Sequence, residues 1–109
     1  MHPLPPSTRQ RILTLLDAVT LTTVSLDFDR ALQATLEEQL MLVFDCLWCL
    51  ETCWMAVAAR RELRASLEGL AALMEGARLD TCLDEEGSAV WSTLVTDLQD
   101  VRAALEPRW

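Results

Sequence analysis

The chain has 109 residues, 51% of them apolar, and sets 9 basic side chains against 17 acidic ones for a net charge of −8. That length allows one domain at most, residues 1–109, with little stability to spare, so completion of the core by homodimerisation is expected. The acidic balance argues against direct nucleic-acid binding, because phosphates would be repelled; 3 Gly and 4 Pro, with Leu and Ala abundant and Tyr absent, point to helices.

Pro3, Pro5 and Pro6 in "MHPLPPSTRQR" mark residues 1–6 as a Pro-rich tail, extended or turned. This opening has no apolar run after a basic start, so no secretory signal is expected and a cytoplasmic chain with reduced cysteines follows. Ser7 and Gln10 fit a capping box, and Ile12, Leu13, Leu15, Leu16 and Val19 recur at helical spacing, predicting a first helix over roughly 7–19. The β-branched stretch "VTLTTVSLDF" predicts an extended linker over 20–26, or a lone strand if another chain pairs with it. Ser25 or Asp27 is the expected cap of the helix that follows.

From Asp27 to Glu68 there is neither Gly nor Pro. Helices in compact domains seldom exceed about 25 residues, so a division is expected near 58–61, giving a helical hairpin. In its second arm, Leu63, Leu67, Leu70, Leu73, Met74 and Ala77 form an apolar stripe. Gly76 and "RLDTCLDEEGS" are expected to end that helix in a loop. Asp84 or Ser88 then opens a last helix with the stripe Trp91, Leu94, Val95, Leu98, Val101 and Leu105, stopped by Pro107. The predicted fold is all-α, with three to four helices and a long central helix.

Winding residues 36–57 at about 100° per residue separates two apolar faces. Leu36, Leu40, Val43, Leu47, Leu50 and Trp54 share one stripe, as the core face of an amphipathic helix should. Met41, Phe44, Trp48 and Met55 fall nearly opposite, with Asp45 and Glu51 on the flanks. One apolar face suffices for a helix on a monomer's surface. The second must be covered by neighbouring helices, a second copy or another protein; Trp, Met and Phe are the types enriched in interface cores. Met41, Phe44, Trp48 and Met55 are therefore the expected dimer or partner interface.

Other chemistries fit "LVFDCLWCLETCWM" less well. An acid near the centre of a membrane span costs roughly 2.5–3.5 kcal/mol on insertion scales, and this run carries Asp45 and Glu51, so no membrane association is expected. Cys46, Cys49 and Cys53 lie on one helical stripe with Cys82 as a conceivable fourth ligand. However, structural zinc sites use a second recognisable pair, absent here, and the sole histidine, His2, lies in the tail. Buried cysteine packs as a small hydrophobe, and that role is expected rather than a metal or other cofactor. A nucleophilic thiol needs a base, a cation or a helix N-terminus beside it; mid-helix among acids, these thiols stay protonated, and no catalytic residue is assigned. Arg60, Arg61 and Arg64 form a small basic cluster suited to pairing on its own helix or to an acidic patch on a partner.

The stretch "VSLDFDRALQATLEEQLMLVFDCLWCLETCWMAVAARRELRASLEGLAALMEGARL" resembles, in pattern, length and composition, the QslA-type quorum-sensing anti-activators, over about half the chain. The resemblance implies a dimer of short helical chains that binds the ligand-binding domain of a LuxR-type transcription factor. There it would occupy the surface used for dimerisation and block DNA binding. No motif carries individual contact residues across. The expected function is sequestration of a transcriptional activator by helix packing. The alternative is a secretion chaperone or immunity protein, which shares small size, acidity and dimerisation.

Overall fold

A computed structural model describes residues 6–26, 28–52, 56–80 and 83–105. Among them lie four helices, α1 (Pro6–Ser25), α2 (Arg30–Thr52), α3 (Ala56–Asp80) and α4 (Glu85–Ala104), and no strand. The fold is all-α, as predicted. Each helix packs on the one before it, and α4 closes the ring on α1. Gln39 of α2 meets Ser66 of α3, and Trp91 of α4 meets Met74 of α3. Leu21 and Leu26, at the end of α1, line a groove with Gly87 and Val90, near the start of α4. Those pairings make neighbours antiparallel, an up-down-up-down bundle with extents of 44 × 22 × 18 Å.

Helix α1 corrects the reading of residues 20–26 as an extended linker. The helix continues to Ser25 because its β-branched and hydroxyl residues find partners on their own axis. Thr20, Thr22, Thr23 and Ser25 each donate a side-chain hydrogen bond to the carbonyl four residues earlier, at 2.7 to 2.9 Å. Thr23 is also buried, so the core holds this last turn in place. The start differs as well. Ser7 lies inside the helix rather than capping it, and Pro6 takes the first turn, where its missing N–H costs nothing.

The cap of α2 is Asp29 rather than Ser25: its Oδ1 accepts from the Leu32 N–H at 2.8 Å. Ser25 spends its hydroxyl on α1, and Asp27 lies outside the described residues. The division of the long Gly- and Pro-free segment also moves. Helix α2 reaches Thr52 and α3 begins at Ala56, so 58–61 falls within α3. "AARREL" consists of strong helix formers and offers no local reason to break.

Gly76 does not end α3, which runs to Asp80. Burial of Met74 and Ala77 on either side outweighs a glycine's propensity cost. A Cβ at Gly76 would meet nothing within 4 Å. Gly76→Ala is therefore expected to stabilise the protein by about 0.5–1 kcal/mol, read as a raised urea midpoint with unchanged slope. Gly69 is different, since a Cβ there would stand 2.9 Å from Gln39 Nε2, which donates to the Ser66 carbonyl at 2.9 Å. This glycine lets α2 and α3 approach.

The last helix starts where the sequence indicated. Asp84 Oδ1 accepts from the Gly87 N–H at 2.6 Å, and Glu85 and Glu86 complement the helix dipole in the first turn. The predicted stripes form one continuous core: Ile12, Leu15, Leu16 and Val19 of α1; Leu36, Leu40, Val43 and Leu47 of α2; Leu63, Leu67, Leu70, Met74 and Ala77 of α3; and all six stripe residues from Trp91 to Leu105. Leu13, Leu50 and Leu73 pack at its edge. Trp54 and Pro107 lie outside the described residues.

Candidate functional site: the outer face of helix α2

Helix α2 is apolar on its inner side because α1 and α3 cover it there. Its outer side carries the residues that winding set apart, and the structure divides them. Met41 is 60% exposed and Trp48 65% exposed. Phe44 is half-buried and packs against the core, so its ring serves this chain's own fold first. Met55 lies outside the described residues.

Leu42, 48% exposed, joins Met41 and Trp48 and was missed by reading only the stripe at helical spacing. It stands about 100° from Met41, at the boundary between the two faces. There it lines two shallow grooves at once. One, of about 540 Å³, runs along α2 between Ala34, Glu37, Glu38, Met41 and Asp45; the other, of about 250 Å³, lies between α2 and α3 beside Gln39, Cys46, Glu62, Ala65 and Ser66. The apolar surface is thus broader than a single stripe and reaches the α2–α3 seam.

A second exposed apolar patch stands at the end of the bundle where α1 finishes and α4 begins. Leu21 (69% exposed), Val24 (76%) and Val90 (45%) lie there, beside a groove that also includes Leu26, Asp84 and Glu86. The expectation of an extended linker concealed it. Once 20–25 is wound as a helix, Thr23 turns inward and Leu21 and Val24 outward.

The cysteines behave differently from one another. Cys46 is buried in the core cluster, as expected of a packing residue, whereas Cys49 is exposed. Cys53 and Cys82 lie outside the described residues, and among the described residues no three metal-ligating side chains converge. Burial pushes the Cys46 thiol above its ordinary value of 9.0. The Ser66 hydroxyl partly offsets that, while Glu62, Cys49 and Asp45 add to the rise. Protonation is therefore favoured in the folded chain, and the Cys46 contribution to stability is complete below the ordinary thiol value and lost as pH rises through the folded one. Two results are expected. The unfolding midpoint of the native chain falls with alkaline pH more steeply than that of Cys46→Ala. Iodoacetamide at neutral pH alkylates Cys49 before Cys46, as fragmentation mass spectrometry resolves.

Glu75 and Arg78 pair on the surface of α3 at 2.5 Å. The Arg78 hydrogen bond lowers the Glu75 carboxyl below its usual range, a local effect of a half-buried pair on the helix surface. Among the described residues no helix is long and apolar enough to cross a membrane. What the outer face of α2 offers is an apolar strip with carboxylates along it. A scan against protein-family models finds no match, and searches of the curated proteins and of the solved structures likewise return none.

Proposed function

We propose that the protein is a cytoplasmic, dimeric regulator that sequesters a transcriptional activator of the LuxR type by helix packing, preventing that receptor's dimerisation and DNA binding. The observation that carries this reading is the exposure of Met41, Leu42 and Trp48 on a helix whose opposite face is already consumed by the core. Large apolar side chains grouped in water favour a partner, since Trp and Met bury well in interface cores and Trp often dominates the binding energy there. The choice of partner rests on the resemblance to the QslA-type anti-activators over α2 and α3. The chain's acidity supports action through protein rather than DNA.

Titrating the protein into a LuxR-type receptor bound to its promoter DNA tests the proposal. Release of the DNA is expected, with the receptor-dimer mass replaced by that of a mixed complex in light scattering. A receptor–DNA complex and a receptor mass both unchanged at excess protein would overturn it.

A further inference from the structure

The middle of the outer face of α2 carries acids, and the one base on that face, the exposed Arg30, stands two turns away at the helix start. Glu37, Glu38 and Asp45 are exposed and line the groove beside Met41 and Leu42. After Arg30 the helix has no Lys or Arg to its end at Thr52, and Arg60, Arg61 and Arg64 of α3 do not line the groove. This charge pattern distinguishes between occupants. In an antiparallel two-fold pairing centred between Met41 and Leu42, residues of constant index sum oppose each other. Glu38 then faces Asp45 of the second copy, and symmetry repeats the clash. A parallel pairing sets each carboxylate near its own counterpart. Like charges opposed across an interface select against that pairing, and opposite charges favour it.

We propose that this face is the docking site for a different protein, an apolar helix or ridge flanked by Lys or Arg, and that it is not the contact between two copies of this chain. The proposal rests on the reading of the outer face of α2 as a protein-binding surface, and adds the partner's charge. Met41, Leu42 and Trp48 supply the apolar contact, and the three carboxylates fix the register and speed the encounter. Binding through this face therefore weakens as salt is raised.

Two amphipathic helical peptides with the same leucine face, one flanked by lysine and one by glutamate, provide the probe. In amide NMR titrations of the full chain, the lysine peptide is expected to shift α2 from Glu37 to Trp48, and the glutamate peptide is not. Equal responses to both, or lysine-peptide shifts centred on Glu85 and Glu86 or on Asp97 and Asp100, overturn the proposal. The variant Glu37→Gln/Glu38→Gln/Asp45→Asn supplies the second arm. It should bind the lysine peptide about tenfold more weakly. Met41→Ala/Trp48→Ala, which removes the apolar contact but keeps the carboxylates, should leave self-association by sedimentation unchanged; weaker self-association of that variant would place two copies on this face and refute the proposal. Neither measurement uses the receptor, so failure of the receptor reading leaves a distinct signature, namely peptide binding without release of promoter DNA.

Discussion

Replacing Trp91 by Ala is expected to destabilise the protein by about 3–5 kcal/mol, the largest loss from any single side chain among the described residues. Trp91 is fully buried and heads the largest buried side chains. Its ring centroid lies 5.0 Å from that of Phe28 at a tilt of 55°, and its Nε1–H donates to the Met74 carbonyl at 2.7 Å. One side chain thereby ties α4 to α3 and to the α1–α2 connection. Truncation would remove the ring's apolar burial, its aromatic contact and a buried hydrogen bond, and would leave a cavity at the end of the bundle. A domain of this size is stable by roughly 5–15 kcal/mol, so the variant should lose much of its urea resistance. Trp91→Phe keeps most of the apolar area but not the donor and should lose less. A loss below about 1 kcal/mol for Trp91→Ala would mean the four stripes do not converge on this residue.

The second large effect concerns binding. Met41→Ala combined with Trp48→Ala should weaken the complex with a LuxR-type ligand-binding domain by at least about 2 kcal/mol, roughly thirtyfold, in calorimetry. Surface substitutions of this kind usually change stability by no more than about 0.5 kcal/mol each, so the unfolding midpoint should hardly move. Phe44 is left intact in this variant because its half-buried ring supports the core. Truncating it would mix folding with binding. Full affinity retained by the double variant would remove these two side chains from the interface.

The inner faces of all four helices are legible in the sequence because apolar spacing at three and four residues reports burial directly. Leu36, Leu40, Val43 and Leu47, and the series from Trp91 to Leu105, enter the core together for that reason. The misread places are those where local preference competes with packing. At 20–25, β-branched propensity favours an extended chain, but hydroxyl back-bonding and the burial of Val19 and Thr23 sustain a helix. At Gly76, the contribution of its buried neighbours exceeds the glycine penalty. Ser25 and Asp29 are both good caps by type, but the Ser25 hydroxyl is taken up by the Leu21 carbonyl of α1, and Asp29 caps α2.

The candidate site was legible in part. Helical winding separates Met41 and Trp48 from the core stripe, and both are exposed. It also sets Phe44 apart, but a position at the edge of two faces is decided by the width of the neighbouring helix, which spacing does not encode. Leu42 was missed for the complementary reason: an apolar residue at the boundary belongs to whichever side has room. The cysteines illustrate the same limit. Cys46 and Cys49 stand three residues apart on one stripe, yet the first faces α3 and is buried while the second is exposed.

Oxidative footprinting of Met41 and Trp48, with the chain free and bound to a LuxR-type ligand-binding domain, tests the central claim most directly. In the free chain both side chains should oxidise readily, since Met41 is 60% and Trp48 65% exposed, while the fully buried Trp91 and Met74 serve as internal references. In the complex, oxidation of Met41 and Trp48 should fall toward the rates of those references. Unchanged oxidation of Met41 and Trp48 in a complex verified by mass would contradict the claim that the outer face of α2 is the binding surface.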